Sequence, residues 1–413
     1  MGRRDEIIVG LDVGTTKVAA VVGEIREDGS IDVIGVGMTA SHGIKKGVVV
    51  HADETTDAIR RAIHEAELMA GCTVAAVYIG ISGGHLKSFN NRGVVAIANG
   101  EVSHDDVERV IENARAVQIP ADRQIVHTVP QEFLVDDNDG IKHPVGINGT
   151  RLQVNVHIIT ALNSGVQNVT QCAERAGLHV LNVHSELLSS ALAVLEDDEK
   201  ELGVVLVDIG GGTTDIAVFH NGAIVHSAVL PVGGDHITND IAVGLRTPRK
   251  EAERIKLKHG CALSHEVEED EMIEVACVGG REPVERRRTL LCDIIEPRME
   301  EIFRMIEAEV QASNFADVLG SGVVVTGGTA LLPGIAELGE DVLNLPVRIG
   351  KPRPMGGLYD VVRASTFATA VGLVHQGAIE DAESARRKAI ATEGARADNW
   401  IGRFRDWIRE AFA

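Results

Sequence analysis

Two short segments of this chain carry the residue types that hold phosphate. Residues 12–17 read Asp-Val-Gly-Thr-Thr-Lys and residues 208–215 read Asp-Ile-Gly-Gly-Gly-Thr-Thr-Asp, each at the end of a β-branched run. In the first, Gly14 lets backbone N–H groups approach a phosphate oxygen, and Thr15 and Thr16 add hydroxyl donors. Lys17 is a mobile point charge that can reach terminal phosphates. In the second, Gly210, Gly211, Gly212, Thr213 and Thr214 repeat this chemistry. Asp12 and Asp208 head the two loops and can hold magnesium through its water shell. One such loop alone would more often be an ordinary tight turn, because its residues are turn formers. Two copies on matching strand pairs turn the balance toward a phosphate site.

The elements around the loops follow from periodicity. Residues 7–12 and 18–24 read as a hairpin, residues 53–70 as an amphipathic helix and residues 74–81 as a returning strand. Residues 203–224 repeat the opening pattern, a duplication at a period near half the chain. Two related lobes facing one cleft are therefore expected. The texture from 83 to 162 differs, with short strands around a helix at 105–116 and a turn-rich stretch at 136–149, and reads as an inserted subdomain. Helices are expected at 163–177 and 185–195. The glycine turn at 326–334, with Gly327 and Gly328, follows a strand at 323–325 and suits a backbone approaching adenosine and its first phosphate; by itself it is equally an ordinary strand-to-helix turn. Gly233 and Gly234 join the expected phosphate-binding set.

Bulk properties narrow the partners. A chain of 413 residues exceeds the efficient size of one hydrophobic core, so two to three cores are expected. A formal charge of -21 opposes nucleic acid, which is not expected as a partner. The five cysteines are scattered without paired spacing and read as reduced thiols. No apolar run reaches a membrane span of roughly 18 residues, and the N-terminal residues carry no clean export signal.

The last residues stand apart. On a helical wheel Trp400, Ile401, Phe404, Trp407, Ile408, Ala411 and Phe412 share one arc, and Arg403 and Arg405 border it. Residues 376–396 read as a polar flexible linker, so residues 397–413 are expected to form an interfacial amphipathic anchor for membrane lipid. The competing reading is a terminal helix docked on its own domain or in a partner groove. Burying such side chains is worth roughly 1.5–3 kcal/mol each as an upper bound. A single anchor would therefore bind reversibly, and a polymer would bind through avidity.

Five segments, at 12–17, 185–195, 208–215, 326–334 and 364–373, resemble in order the two phosphate motifs, the connecting helices and the adenosine motif of the actin superfamily. Further segments at 128–133, 140–146, 252–263, 295–298 and 400–412 make the whole chain resemble the FtsA family of bacterial cell division proteins. The resemblance implies an α/β actin-like ATPase fold, two related lobes around a nucleotide cleft with an inserted α+β subdomain in the first lobe, binding ATP and Mg2+. It implies that the first-lobe core is 1–82 and 163–195, and that the insertion at 83–162 serves self-association into a homopolymer. The second-lobe core would be 196–227 and 304–375, with a small subdomain at 228–303. Glu186 matches a glutamate near the metal, and Glu253 and Lys256 match a pair flanking adenine; their plain alternative is an exposed ion pair one helical turn apart. Asp215 is the candidate for orienting a hydrolytic water, with Glu186 as the alternative. The implied partners are the carboxyl tail of FtsZ, contacted through Arg298, and late division proteins, at the cytoplasmic face of the inner membrane at midcell. At most a slow ATPase is expected, with nucleotide as an assembly switch. The alternative is an ATP-hydrolysing enzyme of the same superfamily with a partner-docking C-terminal helix.

Overall fold

The structure, a computed structural model, describes residues 6–392. Two sheets share one plan. In the first lobe, the strand Glu6–Val13 runs antiparallel to Lys17–Ile25, which pairs with Ile31–Ala40; on its other side lies Ala76–Ile81 in parallel, followed by His179–Ser185. In the second lobe, Val204–Ile209 pairs antiparallel with Thr214–His220, which pairs with Ala223–Leu230; on its other side lie Val323–Thr326 and Val347–Ile349 in parallel. Each sheet thus places an aspartate-led loop in the turn of its central hairpin. Both faces of each central strand are covered, which is why residues 204–207 form an unbroken apolar run rather than an alternating one before Asp208.

Two helices join the lobes. Glu186–Val194 crosses Ala368–Thr392 so closely that a Cβ on Gly372 would fall 1.8 Å from the Ser189 carbonyl oxygen. A Cβ on Gly10 would likewise fall 2.3 Å from the Ala370 carbonyl oxygen. The crossing is packed into a core to which both sheets contribute, including Ala19 and Val21 from the first and Leu206, Ala217 and Val324 from the second. Separate cores lie under the helix Ala52–Ala70 in the first lobe and around the helix Arg288–Ala312 in the second.

The expectation of a flexible linker at 376–396 is corrected over most of its length, because helix Ala368–Thr392 runs through it. Ala378 and Ile379 are buried, the Tyr78 hydroxyl donates to Asp381 at 3.0 Å, and Asn182 donates to Glu380. The small and charged residues of this stretch are good helix formers, and Gly377 allows the helix to lie against the Tyr78 ring. Residues 393–396 and the amphipathic segment 397–413 lie outside the described residues.

The segment 83–162 is a sheet with a helix on one face. Its strands run in the order Lys87–Ala96, Arg151–Leu162, Arg123–Val135, Asn138–Ile141. Three of these have 10, 12 and 13 residues, longer than the short strands expected. Pro130 interrupts the sequence pattern, but it is absorbed opposite Val156 at a register shift rather than ending the strand. The helix His104–Arg115 starts at a Ser103–Asp106 capping box and covers a core of its own.

His157 and His184 are buried and held neutral, with pKa values lowered to about 4, chiefly by burial. Both folded-state values lie below the ordinary histidine range, so their contribution to stability is complete above about pH 6.5 and is lost as pH falls toward 4. Each adds a slope of up to about 1.4 kcal/mol per pH unit in that window. This histidine contribution is therefore expected to shrink between pH 7 and pH 5, against the opposite contribution of buried carboxyls. His184→Asn should raise the thermal midpoint at pH 5 relative to pH 7 compared with the parent, and calorimetry showing the same pH dependence in both proteins would remove His184 as a cause.

Candidate functional site

The two loops close by the same turn. Gly14 N–H donates to the Lys17 carbonyl at 2.9 Å, and Gly210 N–H donates to the Thr213 carbonyl at 2.9 Å. They face each other across the cleft at a separation that admits no side chain. A Cβ on Gly211 would meet the Thr16 side chain at 2.4 Å, and one on Gly212 would meet Thr15 Oγ1 at 2.6 Å. The helix Gly234–Gly244 begins on the second loop, with Gly234 and Asp235 N–H groups donating to the Gly210 and Gly211 carbonyls. Gly233 lies behind it, where a Cβ would fall 2.6 Å from the Gly210 oxygen. The third glycine turn closes the ring: Thr329 donates to the Gly210 carbonyl, and Gly327 takes a φ of 89° where a Cβ would strike Asp208.

The cleft so formed has a volume of about 430 Å3, within the range of small-molecule sites. Asp12, Gly14, Thr15, Thr16, Lys17, Asp208, Gly210, Gly211, Gly212 and Thr213 line its floor, with Glu186, Gly234, Gly327 and Gly328. Glu253 and Lys256 stand together on one wall as an ion pair at 2.7 Å, half-buried rather than exposed. Lys256 also donates to the Gly234 carbonyl and to Thr238. Thr214 does not reach the cleft: it is fully buried and donates to the Val232 carbonyl. Arg298 is also away from the cleft, paired with Asp240 at 2.6 Å and with Glu301. Trp400, Ile401, Arg403, Phe404, Arg405, Trp407, Ile408 and Phe412 lie outside the described residues.

Carboxylates dominate the floor. Asp12 is ion-paired with Lys17. Asp208 accepts from Ser190 at 2.6 Å, and its pKa is raised by burial and by neighbouring Asp12. Glu186 starts the helix Glu186–Val194, and burial pushes its carboxyl well above the usual range, reinforced by Asp12, Asp215 and Asp208. Asp215 is pushed up to about 7, first by burial, against a hydrogen bond from Ser82 at 2.7 Å. This concentration of oxygen donors and negative charge fits a hard divalent cation. Among the described residues no three acidic, His or Cys side chains are grouped to ligate a metal directly.

Several residues in and around the cleft were not singled out individually by the sequence motifs. Ser190 and Thr369 meet at 3.0 Å on the two crossing helices and both approach Asp208. Ser82 reaches Asp215 from the other lobe. Leu257, Leu331, Leu332 and Pro333 form an apolar wall of a kind that suits a flat base, and Leu257 is 73% exposed. In the sequence its one distinguishing mark is its apolar side chain between Lys256 and Lys258.

The fold is shared with distant solved structures. The PilM-PilN type IV pilus biogenesis complex matches with a TM-score of 0.65 at 16% identity, covering 91% of this chain and 99% of that one. MreB5 of Spiroplasma citri matches with a TM-score of 0.53 at 16% identity, covering 94% and 99%. The molecule is thus an actin-like, two-lobed protein of the α/β class. The family described as cell division protein FtsA matches residues 205–372, and the SHS2 domain inserted in FtsA matches residues 83–160. Cell division protein FtsA of Pseudomonas aeruginosa is 47% identical over 372 residues, covering 90% of this chain and 89% of its own. That of Neisseria meningitidis is 42% identical over 414 residues, covering the full length of both. The chain belongs to the FtsA family of cell division proteins.

Asp215→Asn removes a carboxyl whose folded-state pKa is raised. Such a group favours folding while protonated and weakens it as pH rises through about 7. The variant should gain stability over the parent at pH 8 and little at pH 5. The gain is up to a few kcal/mol, since each tenfold change in proton affinity between the folded and unfolded states is worth about 1.4 kcal/mol. Denaturant titrations at the two pH values measure it; an equal change at both would contradict the ionisation assignment.

Proposed function

We propose that the chain binds Mg-ATP in the interlobe cleft and uses it as a conformational ligand for self-assembly, rather than turning it over as fuel. The observation that carries this reading is the opposition of the two glycine-threonine loops across a cleft floored by Asp12, Asp208 and Glu186. MreB5 of Spiroplasma citri, a fold neighbour, has been solved with ADP and with AMPPNP bound. In this chain, Gly14, Thr15, Thr16, Lys17, Gly210, Gly211, Gly212 and Thr213 would hold the phosphates. Leu257, Leu331 and the Glu253–Lys256 pair would flank the base. Mg2+ would neutralise phosphate charge beside Asp12 and Asp208. Asp215 sits behind Thr213 and is engaged by Ser82, a position that favours holding ATP over rapid hydrolysis.

The assembled protein would tether the division ring to the cytoplasmic face of the inner membrane, binding the carboxyl tail of FtsZ and helping to recruit late division proteins. Family membership and the amphipathic pattern of residues 400–412 support this reading. Among the described residues no helix is long and apolar enough to cross a membrane. Arg298 is the proposed contact for the FtsZ tail, and the acidic tail would have to compete with Asp240 and Glu301 for it.

Asp12→Ala should weaken Mg-ATP binding at least about tenfold by calorimetry, the loss of roughly one charge-assisted contact of 1.4 kcal/mol or more. Equal affinity would place the nucleotide elsewhere. Removing residues 397–413, or Trp407→Glu, should abolish co-sedimentation with anionic vesicles, and retained sedimentation would rule out the anchor. Arg298→Glu should weaken binding of an FtsZ tail peptide, with an unchanged titration moving that site elsewhere.

A further inference from the structure

Ser82 follows the strand Ala76–Ile81 and is 4% exposed. Its hydroxyl lies 2.7 Å from both carboxylate oxygens of Asp215 and 3.2 Å from Thr213 Oγ1, so it bonds the first lobe to the second phosphate loop. The first loop reaches the same point. Gly47 N–H donates to Thr15 Oγ1 at 3.2 Å, and Gly47 packs on Ser82 so closely that a Cβ would fall 2.5 Å from the Ser82 carbonyl oxygen. One buried serine is therefore bonded to the second loop directly and linked to the first through Gly47.

The residues after Ser82 lead into the inserted domain. Gly83 has a φ of 126°, a conformation that a side chain would strain, and Gly84 has open space around it. Beyond them the inserted domain does not stand free on the first lobe. It lies along Ala223–Leu230, the edge strand of the second lobe's sheet. Ser88 donates to the Ser227 carbonyl at 2.8 Å, Asn90 to the Val225 carbonyl at 3.0 Å and Gln131 to the Ile224 carbonyl at 2.7 Å. His157 Nε2 meets Ser227 Oγ at 2.8 Å. Side-chain donors thus occupy the outward carbonyls of an otherwise unpaired edge.

These two contacts are joined by a strand pair. Asp215 lies opposite Val229, and Ala217 opposite Ser227, so the carboxylate held by Ser82 is two residues along the ladder from the docked serine. A shift of Asp215 would therefore bear on Ser82, on the entrance of the inserted domain and on the strand against which that domain docks. The docking itself rests on several hydrogen bonds of modest net worth each, which makes it reversible.

We propose that Ser82 is a positioning residue that couples the phosphate end of a bound nucleotide to the docking of the inserted domain on the edge strand Ala223–Leu230. This rests on the nucleotide reading of the cleft. It gives that reading an output, because undocking would free both the edge strand and the face of the inserted domain that carries Asn90 and Gln131.

Hydrogen–deuterium exchange on the full chain, without nucleotide and with Mg-ADP or Mg-ATP, tests it, alongside calorimetry of ATP binding. The parent protein should show nucleotide-dependent protection in peptides covering residues 87–92 and 224–228. Ser82→Ala should bind Mg-ATP within about threefold of the parent, a change below 1 kcal/mol, yet lose that dependence. Ser82→Thr, which keeps the hydroxyl, should retain it. The Asn90→Ala, Gln131→Ala double variant, whose changes lie outside the cleft, should bind ATP normally and show 224–228 peptides less protected than the parent's, with no nucleotide response; it decides the matter if Ser82→Ala does not fold. Persistence of the response in Ser82→Ala overturns the coupling, as does an unchanged response in the double variant. ATP binding by the parent with no response at either peptide also overturns it. Loss of ATP binding in Ser82→Ala would make Ser82 a ligand contact and overturn it too. A parent protein that binds no ATP would instead sink the nucleotide reading itself.

Discussion

The crossing of helices Glu186–Val194 and Ala368–Thr392 is the constraint on which the rest of this molecule depends. Gly372 lies against the Ser189 backbone, and Gly10 lets the longer helix lie on the first sheet. Any side chain at either position would push the helices or the sheet apart and with them the two phosphate loops. The loops meet across the cleft with room for neither a Cβ on Gly211 nor one on Gly212, so small errors in the crossing would be felt directly at the site. Close packing in the shared core transmits such shifts rather than absorbing them.

The same crossing also sets the electrostatics. Glu186 begins one helix, and Ser190 and Thr369, one from each, approach Asp208. Burial concentrates Asp12, Asp208, Asp215 and Glu186 near one another with Lys17 paired to Asp12. Such a group is costly when dry and ionised, so three of its members, Glu186, Asp208 and Asp215, hold their protons more tightly than usual, Asp215 up to about 7. A cation and the donors of a polyphosphate loop complement each other in such a place. The proposed Mg-ATP would meet both lobes there.

Two attachments distinguish this molecule from a bare pair of lobes. The inserted domain has its own core yet bonds to the second lobe through side chains on an edge strand. The long helix Ala368–Thr392 leaves the interlobe core and continues along the first lobe, fixed by Tyr78–Asp381 and Asn182–Glu380 contacts. The helix that leads toward the amphipathic segment is thus packed against the first lobe at Glu380 and Asp381.

By itself the sequence determined the duplicated hairpins, their aspartate-led glycine turns, the inserted domain and the family, because each is written in local spacing that backbone geometry dictates. Gly14 and Gly210 close equivalent turns for the same steric reason, and that equivalence is visible in the residues alone. Only the tertiary structure decided that Ser82 meets Asp215, that Leu257 faces the cleft and that Arg298 is held by Asp240. Ser82 and Asp215 are 133 positions apart, and no local pattern encodes a contact that arises when two lobes are pressed together by a helix crossing. Residues 376–392 show the converse limit: small and charged residues look alike whether a helix docks or a linker dangles, and the Tyr78 and Asn182 partners that settle it come from elsewhere in the chain.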